Sequence, residues 1–164
     1  MTRVYVGIGS NIDRDNHIRA GVRLLAEGFG KLSLSTVYES PAYGFKGDSF
    51  YNLVAGFDTI LDLRTLTTKL REIEHACGRK CDEGRFMPRT LDVDLLLYGD
   101  LVCHDDNYDL PRKDIVHYAF VLCPLVEIAA AERHPELGRT YAELWREFAA
   151  DKKQLQPVRF SFDD

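Results

Sequence analysis

The sequence predicts an α+β fold, a ferredoxin-like βαββαβ sandwich with an additional C-terminal hairpin and helices. Three observations carry that expectation. Apolar periods follow one another as strand, helix, strand, strand, helix, strand up to about residue 98. Glycine, proline and asparagine clusters separate them. A chain of 164 residues, 45% hydrophobic and 29% charged, suits one core and a single domain over 1–164.

The elements can be justified in order. "RVYVGIGSNI" (3–12) is β-branched and aromatic and closes on Gly-Ser-Asn, which reads as a strand ending in a tight turn. In the next segment Ile18, Val22, Leu25 and Ala26 make one apolar stripe, with Gly28 and Gly30 as stop signals, so a helix is expected. "KLSLSTVYES" (31–40) sets Leu32 and Leu34 on one face and serines on the other, the pattern of a half-buried strand. "PAYGFKGDS" (41–49) has the composition of a loop, and "FYNLVAGFDTI" (50–60) restores a strand. Leu63, Leu66, Leu70 and Ile73 then define a helical face ending at Gly78. A loop over 79–89 leads into a strand beginning near Thr90. Beyond it, Gly99-Asp100 suits a hairpin turn, and helical segments are expected around "FVLCPLVEIAAAE" and "TYAELWREFAA".

Composition excludes several classes. The formal charge of −5 argues against a general nucleic-acid binder, which needs a basic face. No apolar run reaches the roughly 18 residues of a membrane span, and no targeting pattern precedes the first strand. Cys77, Cys81, Cys103 and Cys123 lack zinc-knuckle spacing and read as reduced thiols, so a soluble cytoplasmic protein is expected.

The chemistry concentrates in "PRTLDVDLLLYGD" (88–100). Aspartate is a poor strand former, yet Asp92 and Asp94 head an apolar run. In a strand they share a face, about 6.5 to 7 Å apart at the backbone, where like charges repel unless a cation lies between them. Paired hard oxygens suit magnesium better than zinc. A solvated edge face is the bland alternative. The preceding loop weighs against it, because Arg79, Lys80, Arg85 and Arg89 fall within eleven residues beside the carboxylates. Guanidinium groups grip phosphate oxygens, and arginines around a magnesium pair are what polyphosphate transfer requires. A P-loop is absent from the sequence. In "ESPAYGFKGDSFYN" (39–52), aromatic residues with Asn52 could hold a flat heterocycle, although core packing is the more common fate of Phe50 and Tyr51. An amide within an apolar run must find partners.

Together these residues resemble the 6-hydroxymethyl-7,8-dihydropterin pyrophosphokinase family of folate biosynthesis. The resemblance runs through "VYVGIGSNI", "SPAYG", "FYN", "PRTLDVDLLLYG" and "FVLCPLVEIA" in the family's order, and the central motif is the specific one. It implies transfer of the β,γ-pyrophosphoryl group of ATP to the pterin hydroxymethyl oxygen, leaving AMP. It implies two magnesium ions on Asp92 and Asp94, with Arg79, Arg85 and Arg89 on phosphates. Glu74, Leu95 and Arg112 would belong to the ATP site. Ser40, Pro41, Tyr43 and Asn52 would read the pterin edge, with Phe120 and Phe50 against the ring. The implied partners are the pterin and ATP, with no nucleic acid or membrane, and the implied state is a monomer. The chain departs from the family pattern at Cys81 and Phe86. It departs again at "LPRKDIVHYAF", where Arg112 stands for a nucleotide-contacting histidine and Tyr118 for an arginine. Arg112 or Lys113 could supply the charge so lost.

Two other readings compete. A non-catalytic pterin- or nucleotide-binding paralogue would keep the fold without turnover, but both aspartates and the three loop arginines are retained. An RNA-binding module could use the same kind of sheet, but two carboxylates on its face would repel a phosphate backbone. His104, Asp105 and Asp106 are read as a solvated turn rather than a metal cluster, and Trp145, Leu144 and Phe148 as the packing face of the last helix.

Overall fold

A computed structural model describes residues 1–40, 49–77, 91–149 and 155–162. The first run forms β1 (Thr2–Ser10), followed by α1 (Arg14–Phe29), which buries Ile18, Val22 and Leu25 and closes at Gly30. The expected strand at 31–40 is two strands, β2 (Ser33–Leu34) and β3 (Val37–Ser40). Buried Ser35 parts them: its Oγ accepts the Val54 N–H at 2.9 Å while its own N–H donates to the Val54 carbonyl at 3.0 Å. A side chain thus substitutes for a rung of the ladder.

β4 (Phe50–Thr59) leads to α2 (Leu63–Ala76), whose start is capped by Asp62 accepting the Thr65 N–H at 2.8 Å. Leu66, Leu70 and Ile73 are buried as the spacing requires; Leu63 is only half-buried. Gly78, the expected stop, lies outside the described residues. β5 (Asp92–Tyr98) completes the βαββαβ set, and every pairing in the sheet is antiparallel. β5 lies beside β1, β1 beside β4, and β4 beside β3, with β2 also on β4.

One face of the sheet packs on α1 and α2 through Val6, Ile8, Leu53, Phe57 and Val93. The other face packs on the C-terminal helices α3 (Asp114–His117), α4 (Ala119–Ala129) and α5 (Tyr141–Glu147), using Tyr5, Val54, Leu96 and Leu97 against Leu122, Leu125 and Tyr141. The added helices therefore form a third layer. Trp145, Leu144 and Phe148 pack against this second core as expected. A register shift opposite Tyr5 and Val6 makes Leu96 an extra residue of β5, so Leu96 and Leu97 both enter the second core.

The expected hairpin at Gly99-Asp100 is corrected. Gly99, at φ 54°, turns the chain and donates its N–H to the Arg3 carbonyl at 2.8 Å, but the hairpin lies further on. There β6 (Cys103–His104) pairs with β7 (Asp109–Leu110) as a separate two-stranded sheet. Asp105 shapes its turn by accepting the N–H groups of Asn107 and Tyr108, both at 2.8 Å. His104 is not merely solvated: its ring nitrogens lie in hydrogen-bond contact with the Asp109 and Glu136 carboxylates, each at 2.6 Å. Finally β8 (Gln156–Val158), unforeseen in the sequence, adds to the free edge of β3. No helix among the described residues is long and apolar enough to cross a membrane. Cys77 is buried and Cys103 and Cys123 are half-buried; Cys81 lies outside the described residues.

Candidate active site

The pleat places Asp92 and Asp94 on the sheet face opposite α1 and α2, while Leu91 and Val93 enter the first core. On the neighbouring strand Gly9 stands opposite Asp92 and Gly7 opposite Asp94. These glycines leave the floor of the face bare where Tyr5, further along β1, carries a ring into the second core. The result is a cavity of about 370 Å³ between the sheet and the start of α4.

Ser40, Phe50, Asn52, Asp92, Asp94 and Phe120, each singled out from the sequence, line this one cavity. Asn52 donates its amide to the Ser40 Oγ at 3.1 Å, the partner that an amide within an apolar strand requires. The carboxamide lies against Gly9, where a Cβ would meet Asn52 Oδ1 at 2.7 Å. Phe120 stacks on Tyr118 with centroids 5.0 Å apart and planes at 23°, so Tyr118 extends the aromatic wall. Gly7, Gly9, Asp114 and Tyr118 also border the cavity and were not singled out as substrate contacts from sequence. The Gly-x-Gly spacing of the first strand, placing two side-chain-free positions on one face, was the available signal.

A second cavity of about 490 Å³ lies between α2, β5 and the β6–β7 hairpin. Glu74, Leu95 and Arg112, expected together, line it, and so does Asp94. Asp94 therefore stands in the wall of both cavities, whereas Asp92 borders only the first. Arg71, His75, Asn107 and Tyr108 complete much of its polar lining. Sequence reasoning missed them because the helix face and the hairpin that carry them meet only through the fold.

Glu74 is buried, and its Oε2 accepts the Val93 N–H at 2.8 Å, between the two aspartates. Among the described residues β5 is the edge of the sheet, so this carboxylate satisfies a backbone donor that no described strand meets. A little further along, the Leu96 carbonyl accepts the Arg112 N–H at 3.0 Å. Arg112 also donates Nε to Asp114 Oδ2 at 2.9 Å. Burial works to lower its pKa, but Asp94, the Asp114 hydrogen bond and Asp109 outweigh it, so the guanidinium is held firmly charged. Pro41, Tyr43, Arg79, Arg85 and Arg89 lie outside the described residues, as do Lys80, Cys81 and Phe86.

Asp92 and Asp94 present hard carboxylate oxygens from one strand face beside bare backbone, a donor set suited to magnesium that keeps water and phosphate ligands. No group of three His, Cys, Asp or Glu residues among the described residues could hold a metal unaided.

Comparison with known proteins points to one family. The family model described as 7,8-dihydro-6-hydroxymethylpterin-pyrophosphokinase matches residues 5–130. A 2-amino-4-hydroxy-6-hydroxymethyldihydropteridine pyrophosphokinase of Aquifex aeolicus is 36% identical over 137 residues, covering 82% of this chain and 85% of the relative. One of the same name from Methylorubrum extorquens is 38% identical over 133 residues, covering 79% and 84%. The bifunctional protein FolKE of Lactococcus lactis is 34% identical over 133 residues, covering 78% of this chain but 38% of that relative. Among solved structures, wild-type HPPK-DHPS of Plasmodium falciparum aligns with a TM-score of 0.70 at 13% identity, a likeness of fold. That alignment covers 90% of this chain and 44% of that one, so the chain spans less than half the length of this structural relative.

Proposed function

The chain belongs to the 7,8-dihydro-6-hydroxymethylpterin-pyrophosphokinase family, and from that premise we infer that it transfers the β,γ-pyrophosphoryl group of ATP to the hydroxymethyl oxygen of 6-hydroxymethyl-7,8-dihydropterin, leaving AMP. The observation that carries the reading is Asp94, one carboxylate in the wall of two adjoining cavities. An aromatic cavity with a bonded Ser40–Asn52 pair suits a flat, polar-edged heterocycle, and the more polar cavity beside Arg112 suits a nucleotide. The two substrates would then meet over β5.

In this reading Ser40, Asn52, Pro41 and Tyr43 recognise the pterin edge, and Phe120 and Phe50 hold its faces. Glu74, Leu95 and Arg112 border the nucleotide, and Arg79, Arg85 and Arg89 contact its phosphates. Asp92 and Asp94 would hold two magnesium ions, whose chemistry is to offset phosphate charge and acidify the attacking hydroxyl. Every other contribution belongs to the protein: the bare glycine floor admits the ring, and the Glu74–Val93 bond fixes the spacing of the two carboxylates. Arg112, bound by Asp114, brings to the nucleotide cavity a charge that does not titrate in the working range. A single domain acting as a monomer in the cytoplasm is part of the same proposal, supported by the balance of charge.

The test is AMP release from ATP and magnesium, with and without the pterin. Pterin-dependent AMP should form, and Asp94→Ala should lower it by about a thousandfold or more while leaving thermal unfolding nearly unchanged. Pterin binding without AMP formation would favour the non-catalytic paralogue instead.

A further inference from the structure

We propose that Arg14, at the start of α1, is a positioning residue for the pterin subsite, clamping the end of β3 to the start of β4, from which Ser40 and Phe50 enter that cavity. The inference rests on the pterin reading above and assigns to it a residue outside the cavity wall.

The contacts are specific. The two hydrogens of Arg14 Nη1 are shared among three acceptors, Glu39 Oε2 at 2.9 Å, the Ser49 carbonyl at 2.9 Å and Ser49 Oγ at 2.8 Å. Ser49 Oγ in turn donates to Glu39 Oε2 at 2.9 Å, which closes the network. The guanidinium carbon lies 3.8 Å from the centroid of the Tyr51 ring, so the cation is stacked as well as bonded. The Glu39 carboxyl is held below its usual pKa, first by the Ser49 hydrogen bond and then by Arg14. Tyr51 is backed by Phe160 of the C-terminal tail at 6.3 Å in an edge-on contact.

The placement matters more than the count of bonds. Glu39 immediately precedes Ser40 and Ser49 immediately precedes Phe50, and both Ser40 and Phe50 line the 370 Å³ cavity. Asn52, two residues beyond, takes its partner from Ser40. One side chain therefore ties together both sides of residues 41–48 and, through them, the groups that would read the heterocycle. Holding these groups before the ligand arrives removes an ordering cost from binding and leaves the chemical step alone.

The helix itself has no use for an arginine there. A positive charge in the first turn opposes the helix dipole. The N-cap residue, Asp13, sits at φ 43° and makes no side-chain capping bond. Local rules broken at one point without local gain are expected where a site is being served.

The experiment compares wild type, Arg14→Met, Arg14→Lys and Glu39→Gln. It reads pterin Kd by fluorescence without nucleotide, the Kd of a non-hydrolysable ATP analogue with magnesium, and kcat and KM for both substrates. Arg14→Met and Glu39→Gln should each raise pterin Kd and KM about tenfold, leave the analogue Kd within about twofold and hold kcat within about threefold. Arg14→Lys, keeping charge and stem without the planar fork, should fall between. Equal losses for pterin and nucleotide would mark a merely structural role and overturn the proposal. So would an unchanged pterin Kd in either the Met or the Gln variant. If Arg14→Met does not fold, Glu39→Gln decides by the same criteria. An inactive wild type that binds pterin refutes the transfer reading and leaves the Arg14 comparison readable from Kd. A wild type that binds no pterin refutes both.

Discussion

Gly9 shows how much a missing side chain can specify. Its place opposite Asn52 lets the carboxamide lie flat against β1, and a Cβ there would stand 2.7 Å from Asn52 Oδ1. Gly9→Ala should therefore displace Asn52 from Ser40 and weaken pterin binding by about tenfold or more, with little effect on nucleotide affinity; paired titrations with the pterin and an ATP analogue would check this. The magnitude follows from losing an oriented polar contact rather than from a general loss of packing. At this scale the aspartate pair and the aromatic residues were legible in the sequence, because carboxylates in an apolar strand and an amide in another break rules that single residues must otherwise obey. Arg14 was not legible. Its charge in the first helical turn hints at a role, but its partners lie 25 and 35 residues away and meet it only through the fold.

Among the elements, β5 depends most on a neighbour. Its outer edge is satisfied by the Glu74 carboxylate at Val93 and by the Arg112 N–H at Leu96, which also keeps another strand from adding there. Glu74→Ala would leave the Val93 donor without its acceptor and should cost about 1–3 kcal/mol, seen as an earlier urea midpoint. Glu74→Gln keeps an acceptor oxygen and should recover much of that stability. A fall in nucleotide affinity in the Gln variant would then report the charge itself. The strands and the two long helices were legible because their periods extend over many residues. The division at Ser35 and the strand at Gln156–Val158 were not, since the first depends on a serine finding the Val54 amide. The second is three residues with a proline at its centre, and only the open edge of β3 makes it a strand.

Taken as a whole, the molecule carries two histidines with opposed pH responses. His104 is raised, first by its hydrogen bond to Glu136 and then by Asp109, so the stability it contributes is fully present below the unfolded value near 6.5. That contribution is lost as pH rises through the higher folded value. His134 is lowered, mainly by burial, and its Nδ1 accepts the N–H groups of Glu136 and Leu137. The unfolded chain takes up that proton first, so stability from His134 is present above about 6.5 and is lost as pH falls through the lower folded value. The two together predict greatest stability near pH 6.5 from these groups. Urea midpoints between about pH 5.5 and 8 should fall on both sides of that point in the wild type, and His104→Gln should flatten the alkaline side alone. The layering of the whole was only half legible: periodicity showed that helices follow β5, but not that they cover the opposite face of the sheet and stop short of Asp92 and Asp94.

The bare floor of β1 also bears on how this site could evade an inhibitor. Resistance by point substitution works by withdrawing a side chain that a compound depends on, and at Gly7 and Gly9 there is none to withdraw. A compound resting on that backbone would leave the protein only the option of adding bulk. At Gly9 the first atom added strikes Asn52, so the change that expelled the inhibitor would impair the protein's hold on its own substrate.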